Sequence, residues 1–220
     1  MTEQQTPEMP VDVIIDPSYS GAFSHGWQTM KKYFIELLLV IFVLILLSLP
    51  MGLVNSFVDS DTIGFSFFTL FNIAYGIIVL GPISYGVNWL FLKAVRNEPF
   101  KTHDVFMAFQ NIWNVVIANV LVSIIIGIGF ALLIVPGIIF ACRLAFVSFL
   151  VMDQKMEAME AVKKSWEMTK GYSWTIFGMA IMSFFIVIAG LICLGVGIFP
   201  AIIWIESAFA ALYWGVVTKK

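Results

Sequence analysis

Six runs of apolar residues, each about as long as the hydrocarbon core of a bilayer is thick, decide what this chain can fold into. They fall at residues 34–54, 65–92, 115–135, 136–152, 172–194 and 196–217. At about 1.5 Å per helical residue, the first of them reaches about 31 Å, enough to cross. Sixty per cent of the 220 residues are hydrophobic and 12% are charged. A soluble domain carries roughly half and a quarter. The spans use nearly all of the length and leave no room for a separate soluble catalytic domain. The expected fold class is therefore all-α: a polytopic membrane protein with six transmembrane helices arranged as three hairpins. Gly81-Pro82 should kink the second span, because proline removes a backbone bond and crowds the preceding turn. Pro136-Gly137 should turn the chain between the third and fourth spans, and Gly195, Gly197 and Pro200 between the fifth and sixth.

Orientation follows from where the basic residues lie. Lys31 and Lys32 precede the first span, and Lys93, Arg96 and Lys101 separate the second and third. Lys155, Lys163, Lys164 and Lys170 separate the fourth and fifth, and Lys219 and Lys220 follow the sixth. All of these fall on one side, whereas the first loop on the other side carries Asp59 and Asp61. The positive-inside rule makes the basic side cytoplasmic, together with both termini. Residues 1–16 are expected as a flexible acidic cytoplasmic tail. They lack the basic start of a secretory signal, and no lipidation motif is present. Residues 17–220 then form a single membrane domain.

A pattern recurs ahead of each odd-numbered span. Ala22-Phe-Ser-His-Gly-Trp27, Ala108-Phe-Gln-Asn-Ile-Trp113 and Ala161-Val-Lys-Lys-Ser-Trp166 each place alanine five residues before tryptophan. Trp27 to Pro50 and Trp113 to Pro136 are equal intervals. This suggests an internal repeat over residues 17–101, 102–152 and 153–220. Each unit would be a cytoplasmic-face amphipathic helix followed by a hairpin. Apolar residues return every three or four positions in these segments. Asp16, Thr102 and Asp153 stand where caps belong. Such helices can lie in the membrane interface with Trp27, Trp113 and Trp166 at headgroup level, or pack on the inner end of the bundle. They can also dock a partner, for which Lys163, Lys164 and Glu167 supply charge.

Inside the spans, Arg143 is the one basic residue. A mid-helix arginine costs roughly 3 kcal/mol to insert, so it should face protein or water. Glu206 is its expected partner, because both lie six or seven residues beyond a turn proline and hence at matching depth. Asn72 lies at similar depth, so Arg143, Glu206 and Asn72 are expected as an intramembrane polar cluster. Such a cluster could be an ion pair that locks helices or a site for a substrate or proton. Ser66, Thr69, Asn72 and Gly76 share one face of the second span, as helix-packing residues do. Glu36 can snorkel beside Lys32. Cys142 and Cys193 read as packed thiols, and His25 and His103 as solvated polar residues. No metal, cofactor, nucleophile-elbow or nucleic-acid-binding pattern is found, so no enzyme is expected.

The run from Pro136-Gly137 through Arg143-Leu144 and Asp153 to Glu160-Ala161, Ser165-Trp166, Met168-Thr169 and Gly171 resembles the YciC-like bacterial integral membrane proteins. It is similar, too, to the membrane domain attached to some glycerophosphodiester phosphodiesterases. The resemblance covers about residues 136–171. It implies a six-helix protein of the bacterial inner membrane with no assigned biochemical activity. The soluble phosphodiesterase domain of the fused relatives has no counterpart in this sequence. Function is therefore expected to be that of a non-enzymatic module acting through membrane lipids and a membrane or cytoplasmic protein partner. The alternative is a small transporter or lipid-handling protein with an anionic-substrate site near Arg143 and Glu206.

Overall fold

A computed structural model describes residues 15–57, 63–192 and 197–219. The acidic segment 1–14, Asp59, Asp61, Cys193, Gly195, Lys220 and the side chain of Ser66 lie outside the described residues. Every regular element described is helical: α1 (Tyr19–Lys32), α2 (Phe34–Phe57), α3 (Ile63–Tyr75), α4 (Gly81–Val95), α5 (Ile112–Leu132), α6 (Ile134–Leu144), α7 (Val147–Asp153), α8 (Ala158–Met168), α9 (Ser173–Ile192) and α10 (Ile198–Thr218). A π-helical segment, Gly76–Leu80, joins α3 to α4, and 3-10 segments Thr102–Asn111 and Thr169–Gly171 lead into α5 and α9. Six stretches are long and apolar enough to cross a membrane: Phe34–Gly52, Phe68–Val95, Thr102–Leu132, Ile134–Asp153, Ser173–Ile192 and Ile198–Thr218. The chain is an all-helical, multi-pass membrane protein.

The six spans divide into an outer and an inner set. In the first, third and fifth, 17% of the most apolar stretch is buried in each case; in the second, fourth and sixth the shares are 39, 44 and 61%. The outer spans turn Ile35, Phe42, Ile124, Phe184 and similar side chains outward. Such a surface suits lipid, which gives apolar groups no reason to hide. The inner spans supply the largest fully buried residues, Trp214, Tyr213, Phe91 and Phe146.

Prolines sit where helices can bear them. Pro136 and Pro200 are the third residues of α6 and α10, and Gly137 and Ala201 make the first backbone bonds of those helices, to Leu133 and Gly197. An N–H at the third position has no partner within its helix, so its loss there costs nothing. The sharp turn thus falls at the extended Leu133, three residues ahead of the expected Pro136-Gly137 turn, which opens α6 instead. Pro82 is different, because it lies inside a span and cannot donate to the carbonyl one turn back. The preceding turn opens into the π-helical segment Gly76–Leu80, whose wider spacing carries the Gly81 N–H back to the Gly76 carbonyl.

The fourth span breaks between α6 and α7 at Ala145 and Phe146, with neither glycine nor proline to cause it. The backbone groups left open are satisfied from α8. The Ser165 hydroxyl donates to the Arg143 carbonyl at 2.8 Å and accepts from the Phe146 N–H at 3.3 Å. The Thr169 hydroxyl reaches the same carbonyl at 3.2 Å. Both side chains are fully buried. Broken helix is tolerated at membrane depth only where protein completes its hydrogen bonds. Ser165→Ala should therefore lower stability by about 1–3 kcal/mol, measured as a shift in thermal unfolding in detergent. Ser165→Thr, which keeps the hydroxyl, should lose less.

The segments between spans pack onto the inner set. The 3-10 segment Thr102–Asn111 lies on α4, α8 lies on α5, α6 and α7, and α1 lies on α10. Close approach is built in: a Cβ on Gly26 would stand 2.7 Å from the Ala208 backbone nitrogen, and one on Gly86 would strike the Val105 carbonyl. Ala22, Ala108 and Ala161 are all buried. The caps differ from those expected. Ser18, not Asp16, caps α1, accepting from Gly21 N–H at 3.1 Å. Lys101, one residue before Thr102, precedes the second segment. Asp153 ends α7 instead of starting α8, whose cap position is Glu157. The first N–H of α8, on Ala158, is instead taken by the Asn114 side chain of α5 at 2.7 Å, while the Asn114 amide donates to the Met156 carbonyl at 2.7 Å.

Candidate functional site

The most developed polar arrangement lies where the three inner spans end. Arg96 closes α4, Asp153 closes α7, and Tyr213 and Trp214 lie near the end of α10. The Arg96 guanidinium grips Asp153 with two parallel hydrogen bonds, Nη1 to Oδ1 at 2.6 Å and Nη2 to Oδ2 at 2.7 Å. Its flat face lies over the Trp214 ring, 4.1 Å from the centroid. The Tyr213 hydroxyl donates to Asp153 Oδ2 at 2.9 Å and accepts from Gln154 Nε2 at 3.3 Å. Phe149 stacks on Tyr213 at 4.9 Å, and Glu98 stands 3.8 Å from Arg96 Nη1. The side chains of Arg96 and Asp153 are 7% and 11% exposed.

Chemically this is a tie that joins the ends of the three inner spans. Asp153 is held by a fork whose charge is permanent, and its second oxygen also accepts from a phenol. Removal from water makes the pair sensitive to the loss of either member. Sequence reading took Arg96 as an orienting charge and Asp153 as a cap. The available signal was that each closes an inner span, with opposite sign, at the same end.

The expected cluster of Arg143, Glu206 and Asn72 is not assembled as a charge pair: among the described residues no ion pair joins Arg143 to Glu206. The reason is lateral. α6 packs on α5, α8 and α9, whereas α10 packs on α1, α2, α4 and α9. Equal depth put the two charges on one level without making their helices neighbours. Glu206 is half-buried on α10, and Asn72 is buried on α3. Arg143 instead lies against Trp166 of α8, its guanidinium carbon 5.7 Å from the ring centroid, with Phe140 on the same ring at 5.6 Å.

The three repeated tryptophans have unlike surroundings. Trp27 is 40% exposed and meets Trp204 of α10 edge-on at 4.9 Å, with Lys31 over its ring. Phe23, Ser24, Trp27 and Trp204 line an open apolar groove between α1 and α10. Trp113 is 78% exposed at the start of α5, and Trp166 is half-buried. On α8, Ala158, Ala161, Ser165 and Met168 face the bundle, whereas Lys163 and Glu167 are exposed and Lys164 is half-exposed. None of these three charges makes an ion pair among the described residues. Among those residues, too, no group of three His, Cys, Asp or Glu side chains could hold a metal ion. His25 contacts the Val95 carbonyl at 3.2 Å, and Cys142 is buried as a free thiol. No family model, curated protein or solved structure matches the chain.

Proposed function

We propose that this chain is a non-enzymatic membrane module that acts through its lipid and protein contacts, with the outer face of α8 as the surface a protein partner reads. The carrying observation is the two-sidedness of α8. One face is fixed to the bundle by Ser165 and by Asn114 at its first turn, while Lys163 and Glu167 stand exposed on the other without ion-pair partners. Lys155, Glu157, Glu160 and Lys170 are exposed beside them. Charges of both signs are interspersed along this face. That order suits a protein segment of mixed charge and does not suit a uniformly anionic surface.

In this reading the basic end faces the cytoplasm, and the membrane is the bacterial inner membrane that the YciC-like resemblance implies. The six spans act as three hairpins, each preceded by an amphipathic helix. Two observations support the repeat. Outer and inner spans alternate strictly, and each pre-span segment packs on the inner span before it, with α1 on α10 closing the circle.

The test is gentle purification of tagged protein from its own membrane, with co-purifying proteins quantified. The triple variant Lys163→Ala, Lys164→Ala, Glu167→Ala should lose a stoichiometric partner by at least about tenfold, the scale of a few charge-assisted contacts. Its thermal unfolding should be unchanged, since exposed charges contribute little to stability. A partner retained in full by the triple variant would exclude α8 as the docking face.

A further inference from the structure

The chain has two arginines, Arg96 and Arg143, and the structure treats them oppositely. Arg96 is neutralised by Asp153. Among the described residues Arg143, in the fourth span, has no carboxylate within ion-pair distance and its side chain makes no hydrogen bond. Nη1 is enclosed without a partner. The residue is half-buried, so the remaining edge of the fork, Nε and Nη2, is the part left to meet something outside the chain. A permanent charge in apolar surroundings is costly until an anion or water meets it.

We propose that Arg143 binds a phosphoryl group, which the bilayer supplies on a lipid headgroup. Three features favour that ligand. The guanidinium presents a planar pair of donors, the geometry that matches two phosphate oxygens. Its freedom is restricted, because the guanidinium lies over the Trp166 ring and Ser165 and Thr169 fix the Arg143 backbone carbonyl. Finally, the Arg143 carbonyl is held by Thr169, at the junction where α8 ends and α9 begins. That junction carries the exposed Lys170, a second cation, and the exposed Trp174, an aromatic of the kind that anchors at headgroup level. Glu206 has no part in the site. This inference develops the anion-binding alternative and is independent of partner docking on α8, so either can fail alone.

The experiment is native mass spectrometry of the full chain in detergent, titrated with phosphatidylglycerol or with diacylglycerol of the same acyl chains. Wild type should retain one phosphatidylglycerol in preference to diacylglycerol, and Arg143→Gln should weaken that retention by about tenfold. Arg143→Lys keeps the charge but loses the fork, and should fall between them. Retention that survives millimolar inorganic phosphate supports the lipid as source; displacement by phosphate supports the same site filled by a solute. No preference for phosphatidylglycerol over diacylglycerol in wild type overturns the proposal, even if Arg143→Gln fails to fold. Equal retention by wild type and a folded Arg143→Gln overturns it as well.

Discussion

Replacing Asp153 with alanine is expected to destabilise the protein by about 3–5 kcal/mol, because the buried Arg96 would lose its two-pronged partner and keep only Glu98, at 3.8 Å. The guanidinium is 7% exposed and pressed against Trp214, so it cannot turn to water without opening the junction of α4, α7 and α10. At roughly 2–4 °C per kcal/mol for a chain of this size, the unfolding midpoint should fall by about 6–20 °C. Tyr213→Phe removes only a neutral donor to the same carboxylate and should cost about 1 kcal/mol. The double variant Arg96→Leu, Asp153→Leu should be more stable than either single one, since it removes both charges together. A midpoint for Asp153→Ala within about 2 °C of wild type would show that the tie carries little of the stability.

The second large effect is expected at Gly86. Here the 3-10 segment Thr102–Asn111 crosses α4 so closely that a single methyl group would meet the Val105 carbonyl. Backbone cannot rotate aside as a side chain can, so Gly86→Ala should cost about 2–3 kcal/mol, and Gly86→Val more. Gly178 on α9 is the matched control, since a Cβ there meets nothing within 4 Å. Gly178→Ala should be neutral or slightly stabilising, because alanine is the better helix former. Parallel thermal unfolding of the three variants separates crowding from propensity. Similar losses in Gly86→Ala and Gly178→Ala would count against a tight crossing.

The spans were legible because hydrocarbon thickness converts directly into a run of apolar residues, and six such runs stand in the sequence. Which spans face inward was less legible. Phe42 on α2 and Phe91 on α4 are the same residue type, one exposed and one buried. In lipid, apolar character does not distinguish a surface from a core. The pairing of Arg143 with Glu206 went astray for a related reason. Rise per residue fixes depth, but nothing in one sequence fixes position around the bundle. The break in the fourth span was invisible at Ala145-Phe146, and its trace lay elsewhere, in the buried Ser165 of α8 and Thr169 just past its end. The Asn114 contact to Ala158 joins residues 44 apart, beyond the reach of a local capping rule.

The seat of α1 on α10 bears on how the protein is made. Trp204 donates to the Phe23 carbonyl at 2.9 Å across 181 positions of sequence, and Gly26 lies against Ala208. A helix made early in the described chain therefore has its seat on one made much later. During translation, the strip of α1 around Phe23 and Gly26 that meets α10 lacks that cover until α10 has been made. A nascent chain stalled before residue 198 would leave that strip open, and one extended through α10 would cover it.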